Sequence, residues 1–403
     1  MSHVSTHQAV APAADIDEPP VISVAGHELT LFVESAPMLA RMAEDIRSAQ
    51  TRVWLESYTF ASDTAGRLIA EALIQRAKAG VDVRLLYDAI GSQGTSTALL
   101  KMMHAAGVKV HAFHSFLYAL RNLSFFEILN RRNHRKLLVV DDRVAYFGGM
   151  NVVDTRPPPT RREQRRDLAE AGGWRDVHVR MTGAQVADVA ESFERSWLRA
   201  HHQPIDRRPR SYRRVRLPRG ERDFIRFYDS GPGLNFSRAE RVFTRIIGLA
   251  RRSVVMSMAY FLPTGRVLRT LNRVGHRGAR LTLIVPGASD VPLVQRATRF
   301  LYSRLLERGV EIYERQRSML HSKAMVVDDR YTVVGSCNLD PRSLEINLEF
   351  VAVIRSAAMA QAVAAICEAE IAESHGVTLA DLDRHGPWQR FLDRCAYLLR
   401  RWL

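Results

Sequence analysis

Histidine, lysine and asparagine recur here in two copies of one spacing. His134-Arg135-Lys136-Leu137-Leu138-Val139-Val140-Asp141 is followed by Gly148-Gly149-Met150-Asn151. His321-Ser322-Lys323-Ala324-Met325-Val326-Val327-Asp328 is followed by Gly335-Ser336-Cys337-Asn338. In both copies His to Lys is two residues, Lys to Asp five, Asp to Gly seven and Gly to Asn three. One His-x-Lys pair is common on strands, but two at matched spacing describe a symmetric site. The set suits a phosphodiester. Two ammoniums and two carboxamides neutralise and orient its charge and stabilise the phosphorane oxygens. One neutral imidazole attacks phosphorus to give a phospho-histidine. The other protonates the leaving alkoxide, and imidazole titrates near neutrality, which suits both roles. Lysine supplies the charge, so this chemistry needs no metal or other cofactor, and no Cys/His/carboxylate cluster has zinc spacing.

The elements that position these residues follow from periodicity. Each motif runs into four apolar residues, which predicts a buried strand. Residues two apart on a strand share a face, so His134 lies beside Lys136 and His321 beside Lys323. Asp141 and Asp328 complete the motif set on the opposite parity. Each opens an Asp-Asp-Arg turn, which makes them scaffold residues and not phosphate contacts. Gly148 and Gly335 permit close backbone approach, and Asn151 and Asn338 offer amide donors. The repeat extends beyond the motifs. Strand Val53–Tyr58, a helix over 65–79, Gly80 and strand Val81–Leu86 match strand Val254–Ala259, a helix over 266–276, Gly278 and strand Leu281–Val285. Strands at 106–110 and 308–312 then precede the motifs. Helix, glycine and strand in this succession predict α/β architecture with crossovers, two halves sharing a site at their common face.

The paired motifs resemble the phospholipase D superfamily. Three flanking signatures are similar to its bacterial cardiolipin synthase branch: Asn130-Arg131-Arg132-Asn133 before His134, Gly-Gly-Met-Asn after it, and Asn338-Leu339-Asp340-Pro341-Arg342-Ser343-Leu344 with Asn347-Leu348-Glu349. The resemblance spans residues 25 to 375. It implies a mixed sheet flanked by helices in each half, His134 as nucleophile and His321 as general acid. It also implies that a carboxylate from the opposite half orients each histidine, Glu349 for His134 and Asp176 for His321. Gly149 stands where the second motif has Ser336, so only the second half offers a hydroxyl there. Both positions are expected at the substrate.

Length and charge bound the setting. A chain of 403 residues divides into two units. We expect a disordered tail over 1–22, a first half over 23–205, an Arg-rich linker over 206–222, a second half over 223–376 and an amphipathic segment over 377–403. The net charge of +15 suits an anionic partner, nucleic acid or membrane. Three scattered cysteines imply no disulfide framework and fit a reducing compartment. The N-terminus has no signal-peptide pattern, and no apolar run reaches the roughly 20 residues of a span.

Two elements favour lipid over nucleic acid. Trp388, Phe391, Leu392, Cys395, Leu398, Leu399 and Trp402 recur at helical spacing among Arg390, Arg394, Arg400 and Arg401. That helix either anchors at an interface or packs on its domain. Phe116–Leu129, just before the first motif, either meets acyl chains or forms a core helix. The Arg-rich stretch at 156–162 reads as a loop that edges the site, and that at 207–222 as a linker or a loop facing anionic lipid or substrate. The expected activity is phosphatidyl transfer from phosphatidylglycerol to a second phospholipid alcohol, giving cardiolipin. It would take place peripherally, on the cytoplasmic face of the bacterial inner membrane. Lipid hydrolysis and superfamily nuclease activity stand as alternatives.

Overall fold

The computed structural model describes residues 19–114, 130–155, 173–201, 215, 217–218, 220–231, 237–384 and 386–400. The 116–129 and 156–162 segments lie outside these residues, as do residues 1–18, most of 206–222, Arg401 and Trp402.

Two eight-stranded sheets carry the fold. The strands of the first are β1 (Val21–Val24), β2 (His27–Glu34), β3 (Arg52–Ser57), β4 (Asp82–Asp88), β5 (Lys109–Phe113), β6 (Leu137–Val140), β7 (Val144–Gly148) and β8 (Arg175–Thr182). Those of the second are β9 (Phe224–Ser230), β10 (Ser253–Met258), β11 (Arg280–Pro286), β12 (Val310–Arg315), β13 (Lys323–Val327), β14 (Tyr331–Gly335), β15 (Glu349–Arg355) and β16 (Ser374–Val377). The orders are β1-β2-β8-β7-β6-β3-β4-β5 and β16-β12-β11-β10-β13-β14-β15-β9. Seven strands correspond one to one, β2-β8-β7-β6-β3-β4-β5 with β9-β15-β14-β13-β10-β11-β12. β1 and β16 extend opposite ends. β3, β4 and β5 run parallel, joined by the crossover helices Thr64–Lys78 and Thr97–Ala105. The other neighbours pair antiparallel, so each sheet is mixed.

Two readings change. The tail expected to reach residue 22 gives way to strand at Val21. Ile22 and Val24 alternate into the core and pair with β2, which an apolar period of two dictates. The motif strands also start later than the motifs. β6 begins at Leu137 and β13 at Lys323, so His134 and His321 lie on the extended lead-ins.

The sheets join through one core. Phe147, Val177 and Val179 of the first half pack with Ala324, Val334 and Phe350 of the second. Phe147 meets Phe227 edge-on at 5.3 Å and tilts against Phe350 at 5.9 Å, geometry favoured by aromatic quadrupoles.

Asp141 and Asp328 sit at the start of the β6–β7 and β13–β14 turns, each at φ 52°. Asp141 accepts the N–H groups of Gln50, Thr51 and Arg52 at 3.2, 2.8 and 3.1 Å, pinning the start of β3. Asp328 accepts those of Arg251, Arg252 and Ser253 at 2.8, 2.8 and 2.9 Å at the start of β10. Burial pushes the Asp141 carboxyl up, but these donors outweigh it and hold it at about 2. A carboxyl depressed by folding stabilises above its unfolded pKa and loses that contribution as pH falls through the folded value. Asp141→Ala should therefore destabilise the fold by about 2–3 kcal/mol at neutral pH. The loss relative to wild type, read from thermal melts, should shrink as pH falls from about 4 towards 2.

Candidate active site

Each motif histidine is tied by its backbone to the opposite half. His134 N–H donates to the Leu348 carbonyl at 3.0 Å and Leu348 N–H to the Arg132 carbonyl at 2.8 Å. His321 N–H donates to the Arg175 carbonyl at 2.7 Å and Arg175 N–H to the Met319 carbonyl at 2.8 Å. The residue after each bridging partner is an acid, Glu349 at the head of β15 and Asp176 in β8. This register brings imidazole and carboxylate together across the halves. His134 Nδ1 lies 3.1 Å from Glu349 Oε1 and 3.0 Å from the Ser336 carbonyl. His321 Nδ1 lies 2.7 Å from Asp176 Oδ2. His134 Nδ1 faces only acceptors, which assigns it the hydrogen and leaves Nε2 with the reactive lone pair, and the Asp176 carboxylate favours the same tautomer at His321.

The lysines sit beneath the histidines. Lys136 Nζ donates to the His134 carbonyl at 2.6 Å and lies 5.2 Å from the centre of the Tyr58 ring. Lys323 Nζ donates to the His321 carbonyl, with His321 Nδ1 at 2.8 Å and Asp176 Oδ2 at 3.5 Å. Asn151 Oδ1 accepts from Thr59 N–H at 3.1 Å, which turns its NH₂ away from the strand end. Asn338 is buried with its Oδ1 unbonded. His134, Asn151, His321 and Asn338 line one cleft of about 920 Å³.

Lys136 and Lys323 lie behind the histidines and off the cleft lining, and three other motif residues face elsewhere. Asp141 and Asp328 do not line this cleft, since their carboxylates are committed to strand starts. Ser336 does not line it either. Its hydroxyl donates to Glu349 and accepts from Phe350 N–H at 3.0 Å, so it holds the acid and not the substrate. At Gly149 any Cβ would collide with the Asp176 carboxylate, which explains the missing side chain in the first half.

The cleft also contains residues the motif reading did not single out. The Tyr58 ring stands edge-on to His134 at 4.9 Å, and Trp174 lies 5.1 Å from His321. Arg132 and Arg342 line the cleft, and both lie within quoted signatures. Tyr260, bonded to Asp290 at 2.8 Å, carries no local signal; only the end of β10 delivers it.

Electrostatics favour neutral histidines. Burial lowers His134, Lys136 adds to the effect, and Glu349 opposes it. Burial and then Lys323 lower His321 to about 4. Burial brings Lys136 down to about 7 and lowers Lys323. Burial pushes Asp176 up, but Lys323 and His321 outweigh it and leave it below the ordinary value. Among the described residues no group of three or more His, Cys, Asp or Glu is arranged to hold a metal ion.

Two similar mixed sheets closing on one His/Lys/Asn cleft define a two-lobed phosphodiester site. The family model described as "Cardiolipin synthase, PLD-like domain" matches residues 42–156 and 243–371. Cardiolipin synthase 1 of Staphylococcus epidermidis is 30% identical over 93% of this chain and 74% of its own length. Cardiolipin synthase B of Escherichia coli K12 is 31% identical over 80% and 75%. A phosphatidylserine synthase of Haemophilus influenzae shares the fold, with TM-score 0.71 and 16% identity over 96% of this chain and 97% of that one. The chain belongs to the cardiolipin synthase, PLD-like domain family, phosphatidyltransferases of the phospholipase D superfamily.

The Glu349–His134 contact carries a pH prediction. The carboxylate favours the imidazolium, so Glu349→Gln should move the acidic limb of the kcat/KM profile to lower pH. Turnover should fall by roughly 10²-fold or more, the usual scale of a general acid–base contribution. A variant that is slow with an unmoved acidic limb would show that Glu349 only packs.

Proposed function

We propose that the cleft transfers a phosphatidyl group from phosphatidylglycerol to the hydroxyl of a second phospholipid alcohol, giving cardiolipin. The observation that carries this reading is the pair of histidines on one cleft, each with its Nδ1 held by a carboxylate from the other half. His134 Nε2 attacks phosphorus and the bond to the glycerol oxygen breaks. His321 gives its proton to that alkoxide, and glycerol leaves. The acceptor hydroxyl then loses its proton to His321 as its oxygen attacks phosphorus. The phosphorus–nitrogen bond breaks and His134 is restored. Lys136, Lys323, Asn151 and Asn338 stabilise the phosphorane oxygens. Burial and Lys323 hold His321 neutral, and the charge of an arriving phosphodiester favours its protonation, so proton uptake accompanies binding.

Membrane attachment is peripheral in this reading. No described helix is long and apolar enough to cross a membrane. The C-terminal helix Pro387–Leu398 packs through Asp393 and Ala396, with Tyr397 stacked on Phe300 at 4.7 Å. Its other face leaves Trp388 68%, Phe391 53% and Leu398 66% exposed. The covered face fits the packing expectation, and the exposed apolar face supports the interfacial one. An anionic bilayer on the cytoplasmic side is the surface such a face fits.

Enzyme given labelled phosphatidylglycerol liposomes and quenched in neutral detergent, which preserves the acid-labile phosphorus–nitrogen bond, should carry label on His134 and release cardiolipin, with no cleavage of single-stranded DNA. Label on His321 alone would reverse the roles, and DNA cleavage without lipid turnover would replace the reading with a nuclease. Lys323→Ala should slow transfer by at least about 10²-fold, while activity should survive EDTA. Metal-dependent recovery after chelation would sink the metal-free step. Truncation before Trp388 should weaken liposome binding yet spare turnover of a short-chain soluble diester.

A further inference from the structure

A second cleft, of about 670 Å³, lies outside the catalytic one. Five arginines line it, Arg241, Arg266, Arg269, Arg304 and Arg400, against two glutamates, Glu240 and Glu345. Glu240 is committed, accepting from Thr264 Oγ1 at 2.6 Å and from Arg266 Nη1 at 2.9 Å. Arg269 and Arg304 are exposed and have no carboxylate within ion-pair distance among the described residues.

The placement of these cations runs against helix electrostatics. The helix Gly265–Gly275 begins in this cleft with Thr264 as its cap and no acid in its first turn. Arg266 lies in that turn, and Arg269 Nη1 folds back to within 3.2 Å of where a Gly265 Cβ would stand. A helix N-terminus carries partial positive charge and favours anions. Glu240 offsets Arg266, but the guanidiniums of Arg269 and Arg304 repel the dipole and one another unless a further anion lies between them. Helix N-termini and arginine forks both match phosphate oxygens.

Two neighbours indicate which phosphate. Tyr397 and Arg400, at the end of the C-terminal helix, form part of the cleft wall, and Arg400 stacks over Tyr397 at 4.3 Å. Leu398 and Leu399, between them in sequence, are exposed. The helix end that walls the cleft through Tyr397 and Arg400 thus also carries exposed leucines, which suit acyl chains. On another side Pro341 and Glu345 line it, while Asp340, Arg342 and Ser343 line the catalytic cleft. One short helical segment, Arg342–Ile346, thus separates the two.

We infer that this arginine cleft binds the phosphate headgroup of an anionic phospholipid in the bilayer, holding the catalytic cleft beside the membrane. The inference goes beyond the catalytic reading and survives its failure, since vesicle binding is measured without turnover. The test is sedimentation with phosphatidylcholine vesicles with and without phosphatidylserine. It compares wild type, Arg269→Ala/Arg304→Ala, Arg269→Lys/Arg304→Lys and a first-half control, Arg47→Ala/Lys101→Ala.

The alanine pair should lose roughly thirtyfold in affinity for the anionic vesicles, about fivefold per arginine. The lysine pair should stay at least about tenfold weak, because lysine keeps charge but lacks the bidentate fork. The control and turnover of a short-chain soluble diester should stay within about twofold. Full rescue by lysine, or an equal loss in the control, would reduce the effect to bulk charge and overturn the site. Unchanged vesicle affinity in the alanine pair would also overturn it, as would loss of inorganic phosphate binding by calorimetry with vesicle affinity intact. Arg304→Ala alone carries the same comparison if the double variant does not fold.

Discussion

Two ammoniums and two imidazoles are withdrawn from water around one cleft, and the fold has to make that tolerable. Stripping an ion of water costs several kcal/mol even after relaxation. Asp176 and Glu349 provide the counter-charge, and both reach the cleft only because a strand of each half docks on the lead-in of the other. The shared core of Phe147, Phe227 and Phe350 keeps that docking in register. A slip of one residue would turn each acid away from its imidazole and leave the lysines uncompensated. Separating the halves would have the same effect, so catalytic competence and the inter-half core are one constraint.

The two halves meet similar demands with different residues. Beneath the first motif, Glu56 of β3 accepts from Asn133 Nδ2 at 2.7 Å and lies 3.6 Å from Arg135 Nε. Beneath the second, the equivalent strand position is Ser257, and the carboxylate comes from Glu370 in the helix Ala357–Ala372, bonded to Ser257 at 2.6 Å and Ser322 at 3.4 Å. Burial raises both acids, with Arg135 opposing at Glu56 and the Ser257 hydroxyl at Glu370. Each half thus places a buried polar anchor under the residues beside its histidine. The Gly149 and Ser336 pair follows the same logic: one position clears space for an acid, the other holds one.

Much of this was legible in the chain. Spacing pointed to the chemistry, because two His/Lys/Asn sets at matched intervals have few uses other than a phosphodiester. Periodicity located the strands at β3, β4, β10 and β11 and their crossover helices to within a few residues, because burial on a sheet imposes it locally. The motif aspartates read as turn formers, and their carboxylates indeed serve the starts of β3 and β10. A short edge strand was missed: the period of two over Val21–Val24 is brief, and pairing with β2 is what makes it a strand.

Tertiary structure decided the rest, because those features join residues that no local period relates. Geometry paired Glu349 with His134 and Asp176 with His321 through two backbone bridges, where sequence had only a resemblance to go on. It turned Ser336 towards Glu349, and it brought Tyr260 and Trp174 to the cleft. The arginine cleft is assembled from separate helices, and of its basic residues only Arg400 stood out in sequence, as part of the amphipathic pattern. The C-terminal helix carried both of its readings in sequence, since amphipathic spacing fixes two faces without saying what either touches. Only packing through Asp393, Ala396 and Tyr397 determined which face was covered. A sequence specifies its periods and its chemistry locally; which charges neutralise one another is a matter of distance, and the fold sets the distances.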